Sequence, residues 1–251
     1  MSGHSKWATI KHKKAATDKA RGKRFAKLLR QVEVAAREGG GDPEANPTLR
    51  TMFQKARDNS IPMDTIDRAI KRGTGELEGV TYEEVTYEGY APGGVAVMVE
   101  VLTDNRNRAG ADIRNVFTKN GGSMAEPGAV AWQFDRKGTI VVPRSVDEEE
   151  LMLAVLDAGA EDIVDDGDSW RVTTPPTELH AVRTALEGAG IGVESSDLTM
   201  VPQTTIPLDT AEGAKRVLRL IDALDEHDDV QAVHANFDIP DTILETVEAA
   251  P

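Results

Sequence analysis

Ten lysines and arginines fall within the first thirty residues: Lys6, Lys11, Lys13, Lys14, Lys19, Arg21, Lys23, Arg24, Lys27 and Arg30, opposed by one acid, Asp18. Ammonium and guanidinium groups at that density neutralise phosphates and release the counterions condensed on a polyanion, which drives binding without regard to base sequence. His12 stands in the same run. Two roles are open to Trp7: stacking on an exposed base, or anchoring the segment on a helical bundle together with Ile10. The rest of the chain has the opposite character. The 251 residues carry a net charge of −14, with 17 Lys and Arg against 8 Asp and Glu in residues 1–75 and 12 against 35 in residues 76–251. Residues 31–75 hold seven of each sign, so the first thirty supply the whole positive excess. A basic segment on an acidic body attracts polyanions at one place and repels them elsewhere.

A second polar run, Thr103-Asp104-Asn105-Arg106-Asn107-Arg108, stands between an expected strand and an expected helix. Asn105, Arg106 and Arg108 at a helix N-terminus, with Arg114 two turns on, form a candidate anion or RNA contact. The plainer alternative is a capped helix whose arginines face solvent. Other chemistries lack their residues. There is no cysteine, hence no disulfide, thiolate zinc site or thiol nucleophile. The five histidines are scattered without ligand spacing, and the acids at 161–168 match no calcium loop and read as a solvated turn. Gly73-Thr74-Gly75 lacks the strand and spacing of a dinucleotide fingerprint, and no phosphate loop or nucleophile motif occurs. No enzyme activity, metal or cofactor is expected. No apolar run approaches the ~20 residues of a membrane span, and the N-terminus has no apolar targeting core, so a cytoplasmic protein is expected.

The elements that must present these groups follow from periodicity. Phe25, Leu28, Leu29, Val32, Ala35 and Ala36 mark one face of a helix from Lys19 to Arg37, which places Lys23, Lys27, Arg30 and Arg37 opposite, as a solvent-facing stripe. Asn46-Pro47 opens a second helix with Leu49, Met52, Phe53 and Ala56 inward. Asp64 is placed to cap a third, with Asp67 as in a capping box and Gly73 as its terminator. Strands Tyr82–Tyr90 and Val95–Leu102 form a hairpin about Ala91-Pro92-Gly93-Gly94, followed by a helix and a strand from Ala129 to Asp135. Residues 138–201 read β-α-β-β-α-β, the ferredoxin-like order, and the pieces on either side join into a second set of that kind. The expected class is α+β: a basic helical nucleic-acid-binding domain at 1–78, a discontinuous domain at 79–136 plus 203–240, and a ferredoxin-like domain inserted at 137–202.

Gly3-His4-Ser5-Lys6-Trp7-Ala8, Ile10-Lys11-His12-Lys13-Lys14, Gly39-Gly40-Gly41-Asp42-Pro43, Tyr87-Glu88-Gly89-Tyr90-Ala91-Pro92-Gly93-Gly94-Val95-Ala96 and Leu102-Thr103-Asp104-Asn105-Arg106-Asn107-Arg108 resemble the YebC family in order and over nearly the whole chain. Thr9 and Ser123-Met124-Ala125-Glu126 depart from its usual pattern. The resemblance implies three domains, a role in gene expression, DNA binding in some members and ribosome association in others. A mitochondrial relative is described as a translational activator of cytochrome c oxidase. The family supplies no agreed catalytic or base-reading residues. The expectation is a non-enzymatic regulator of gene expression, DNA-binding and transcriptional, acting through the basic N-terminal domain. The alternative is a translation factor bound to ribosomal RNA. The partners expected are nucleic acid with the transcription machinery or the ribosome, and no membrane.

Overall fold

The apolar positions spaced three and four apart in the basic segment face inward. In the computed structural model, which describes residues 18–248, they lie on α1 (Asp18–Gly39). Leu28, Val32, Ala35 and Ala36 pack with Leu49 and Ala56 of α2 (Pro47–Asp58) and with Ile66 and Ala69 of α3 (Met63–Gly73). Val32, Leu49 and Ile66 are fully buried, each contributing about 2 kcal/mol of apolar transfer. α2 opens as expected, with the Asn46 side chain accepting from the Leu49 backbone N–H at 3.0 Å and Pro47 in the first position.

α3 differs from expectation at both ends. It begins at Met63 after Pro62, and Asp64 lies within its first turn without capping it through a side-chain hydrogen bond. An acid there still opposes the positive end of the helix dipole. Gly73 is the last helical residue rather than the stop, and a Cβ on it would collide with the Glu33 carbonyl oxygen of α1. The missing side chain is what lets the two helices touch, while Gly75, at φ 83°, takes the left-handed turn. Gly73→Ala is therefore expected to cost about 2 kcal/mol by prising α3 from α1. A lower denaturant midpoint with unchanged m-value would report it, and an unshifted midpoint would mean that the two helices adjust freely.

The chain continues through β1 (Glu83–Tyr90), β2 (Ala96–Thr103), α4 (Arg106–Lys119) and β3 (Ser123–Met124). Next come β4 (Phe134–Pro143), α5 (Glu148–Val155), β5 (Asp162–Asp165), β6 (Ser169–Thr174), α6 (Leu179–Gly188) and β7 (Ser195–Pro202). It closes with β8 (Ile206–Pro207), α7 (Ala211–Asp225), β9 (Val230–Ala235), β10 (Phe237–Asp238) and α8 (Asp241–Glu248). One antiparallel sheet has the order β3-β1-β2-β9 and a second the order β5-β6-β4-β7. The second is the ferredoxin-like arrangement. The first has the same spatial order, but its second strand, β1, enters ahead of β2 through the hairpin. Val97, Val99 and Val101 of β2 meet Ile113 and Phe117 of α4 and Val217, Leu220 and Ile221 of α7 in one core. Ile140, Val142, Trp170 and Val172 meet Leu151, Val155, Val182 and Leu186 in the other.

Two strand assignments change. β4 runs unbroken from Phe134 to Pro143, although Arg136-Lys137-Gly138 looks like a break between two strands. Gly138 is instead a point of close approach, where a Cβ would collide with the Thr174 hydroxyl. Residues 129–133 are not strand: Ala131–Gln133 is a 3₁₀ turn, and the two-residue β3 edges the first sheet by pairing Met124 with Gly89. α8 lies beyond the last element that the sequence pattern predicts.

Candidate nucleic-acid interface

The expected solvent-facing stripe on α1 is not free. α7 ends at Asp225, and the turn 225–229 that follows presents carbonyl oxygens and carboxylates to α1. Lys23 donates to the Glu226 carbonyl at 3.1 Å and pairs with the Asp228 carboxylate at 3.3 Å. Lys27 donates to the Asp225 carbonyl at 2.6 Å, and Arg30 to the Asp228 carbonyl at 2.7 Å. The last carbonyls of a helix have no partner within it and carry the negative end of its dipole, so Lys27 and Lys23 complete the C-terminus of α7 while Arg30 holds the turn beyond it. Arg24 is half-buried beside this contact, where burial lowers its pKa against the pull of Asp197 and Asp225. Arg37 donates to the Val80 carbonyl at 3.2 Å and pairs with Glu33 at 3.6 Å. Amphipathic periodicity finds the face of a helix that avoids its own core. It cannot tell solvent from a neighbouring acidic loop about 200 residues away in the chain.

Of the remaining basic candidates, Lys19 and Arg21 stand in the first turn of α1. Lys6, Trp7, Lys11, His12, Lys13 and Lys14 lie outside the described residues.

The second candidate, at the start of α4, resolves into a junction. Asn105 caps the helix by accepting from the Arg108 N–H at 3.0 Å. The Arg108 guanidinium donates to Asp104 at 2.7 Å and to Asp229 at 2.9 Å, so it is already neutralised. Arg106 and Arg114 are exposed. Asp229 was not singled out in the sequence, yet it is the hub. Its carboxylate also accepts from the Thr103 hydroxyl at 2.9 Å and meets Arg30 at 3.5 Å, which ties α1, β2, α4 and the start of β9 together. Burial works against the Asp229 charge, but the hydrogen bonds from Arg108 and Thr103 and the fields of Arg108 and Arg30 outweigh it and hold its pKa below the usual carboxylate range. The signal for this site was the acidic run Asp225-Glu226-His227-Asp228-Asp229, which mirrors the basic run of α1 in charge.

The Tyr-Glu-Gly-Tyr stretch on β1 is structural too. Buried Glu88 accepts from the N–H groups of Gly128, Val130 and Ala131 at 2.7, 2.7 and 2.8 Å. Burial alone would raise its pKa, and the three donors outweigh it and lower it. Tyr90 donates to the Ala129 carbonyl at 3.2 Å and Tyr87 to the Arg106 carbonyl at 3.1 Å. Glu88→Gln removes the charge and one acceptor, and is expected to cost about 2 kcal/mol. Amide exchange at Gly128, Val130 and Ala131 should quicken, and unchanged exchange would show that the turn holds itself.

α2 joins the helical unit to the second sheet. Lys55 pairs with Asp197 of β7 at 2.8 Å, and Arg183 of α6 donates to both oxygens of Asp58 at 2.8 and 3.2 Å. Between the three units lies a cavity of about 280 Å³ whose walls carry Glu38, Glu84 and Glu100 against Lys55 and Arg136. Burial, with Glu100 and Glu38 adding repulsion, raises the pKa of Glu84. Such a cavity disfavours a phosphate. Among the described residues no group of His, Asp and Glu is arranged to hold a metal ion, and no helix is long and apolar enough to cross a membrane.

Residues 5–76 match the family described as the TACO1/YebC protein N-terminal domain, and residues 82–237 match the TACO1/YebC second and third domain. A probable transcriptional regulatory protein of Rubrobacter xylanophilus is 61% identical over 249 residues, covering 98% of this chain and 99% of that one. A protein of the same description from Halothermothrix orenii is 55% identical, over 98% of this chain and 99% of its own length. The crystal structure of a conserved hypothetical protein from Aquifex aeolicus superposes with a TM-score of 0.82 at 48% identity, covering 89% of this chain and 93% of that one.

Proposed function

The chain belongs to the TACO1/YebC family, and from that premise we propose that it is a non-enzymatic regulator of gene expression that binds nucleic acid through the cations of residues 1–30, acting on DNA as a transcriptional regulatory protein. The distribution of charge is the observation that supports this most: ten cations and one acid in thirty residues, at the head of a chain whose residues 76–251 carry 12 bases and 35 acids. The names borne by the relatives from Rubrobacter xylanophilus and Halothermothrix orenii agree with it. Because Lys23, Lys27 and Arg30 are engaged by the turn after α7, this reading rests chiefly on the cations ahead of them in the sequence.

One observation favours a second reading, a translation factor that binds ribosomal RNA. A sequence-reading DNA-binding protein ordinarily lays a helix or a ribbon in the major groove. The exposed residues of α2 and α3 mix signs, with Arg57, Arg68 and Lys71 beside Asp58, Asp64 and Asp67, so neither helix offers an unopposed cationic row. Contacts to phosphate and to the shape of a folded RNA need no such row. The two readings separate in a gel-shift titration against promoter and scrambled duplexes, paired with sedimentation of cell lysate under ribosome-preserving and ribosome-dissociating conditions. A transcriptional role requires tighter binding to a promoter than to its scrambled control. Equal affinities together with co-migration with ribosomal subunits would transfer the assignment to translation, and absence of binding in both would end both.

A further inference from the structure

α5 is apolar on two sides and covered on one. Leu151 and Val155, one turn apart, are buried in the core of the second sheet. On the far side Met152, Leu153 and Leu156 are 48%, 77% and 66% exposed. At roughly 100° per residue Met152 and Leu153 lie about 100° apart, and Leu156, the capping residue just past the helix, keeps helical dihedrals and falls between them, with Glu149 one turn before Leu153 and Asp157 in the turn that follows. After the three glutamates of its first turn, the helix is apolar on its outer side as well as on its inner one.

We propose that this outer face of α5 docks a cationic amphipathic helix of a partner protein, its apolar side chains on Met152, Leu153 and Leu156 and its lysines or arginines on Glu149 and Asp157. Charge selects the occupant. Residues 137–202 hold fourteen Asp and Glu against four Lys and Arg, and all four bases are in ion pairs: Lys137 with Glu161, Arg144 with Asp165, Arg171 with Asp166 and Arg183 with Asp58. Acids thus outnumber bases by ten in this unit. A second copy docked through the same face would set Glu149 and Asp157 against each other or against themselves in either orientation, a like-charge cost. Nucleic acid and an anionic bilayer are repelled on the same ground. A basic helix satisfies both the apolar strip and its acidic ends. The proposal stands apart from the nucleic-acid reading, since none of its residues belongs to the cationic segment.

Anisotropy titrations of the full chain with three fluorescein-labelled 18-residue peptides test it. One places leucines on one helical face and lysines on the other, one has the same composition scrambled so that no apolar face forms, and one carries glutamates in place of lysines. The Leu/Lys helix is expected to bind at least tenfold more tightly than either control. The variants L153A/L156A and E149K/D157K should each weaken it at least tenfold. All four positions are exposed, so the variants should retain the parent's near-ultraviolet circular dichroism. Equal binding of the scrambled peptide, or affinity that neither variant alters, would overturn the proposal. A dimer in sedimentation equilibrium that L153A/L156A dissociates would also overturn it, by making a second copy the occupant.

Discussion

Alanine at Lys6, Lys11, Lys13 and Lys14 together is expected to lower affinity for nucleic acid by orders of magnitude at low salt and to flatten its salt dependence. Every phosphate that is no longer neutralised takes about 0.9 from the slope of log K against log salt on duplex DNA, and about 0.7 on a single strand. Four such phosphates reduce the slope by roughly 3 to 4. The same substitution at Lys23, Lys27 and Arg30 is expected to change the slope less and the fold more, because those groups bond carbonyls at the end of α7 and in the turn that follows it. Titrations at four or five salt concentrations distinguish the two sets. An unchanged slope for the first set would remove residues 1–17 as the binding surface.

Asp229→Ala is expected to cost about 2 kcal/mol, the scale for removing a buried carboxylate's hydrogen bonds, since Arg108 stays half-exposed and keeps Asp104. The substitution removes the nearer of two acceptors facing the buried Thr103 hydroxyl, leaving the Asn105 carbonyl at 3.2 Å, and takes the shared counterion from Arg108 and Arg30. Its pH dependence has a definite sign. The folded pKa of Asp229 lies below its unfolded value, which is about 3.9. Its contribution is therefore fully present above that value and is lost as pH falls through the folded pKa. Urea denaturation of the parent and of Asp229→Asn should show a stability gap at pH 7 that narrows as pH drops below about 4. A gap independent of pH would mean that the aspartate acts by shape alone.

Local chemistry made much of this fold legible in the sequence. The inward stripe of α1, the Asn46 and Asn105 caps, the β1–β2 hairpin and the ferredoxin-like order of residues 138–201 all rest on spacings of a few residues, which a linear sequence displays. What it hid depends on distant partners. Gly138 reads as a strand break until Thr174 is placed against it, and Gly73 as a stop until Glu33 is. The two-residue β3 is too short to show an alternation at all.

The candidate site divides in the same way. Charge density alone marks residues 1–30, but only the packing of α1 against the turn 225–229 divides that run into cations held by the protein and cations ahead of them. The Thr103 to Arg108 run reads either as a capped helix or as an anion contact, and its sequence alone does not choose because its acid, Asp229, lies over a hundred residues away. Two of the five stretches that carry the family resemblance, those at 87–96 and 102–108, thus have a structural explanation in the Glu88 turn and the Asp229 hub. The basic stretches at 3–8 and 10–14 lie outside the described residues.

Ultraviolet crosslinking of the full chain to nucleic acid in growing cells, followed by mass-spectrometric mapping of the adducted peptides, tests the central claim most directly. The expected result is that adducts fall within residues 1–30, with the attached nucleic acid reporting DNA or ribosomal RNA. Adducts confined to residues beyond 79, with none in the first thirty, would contradict it.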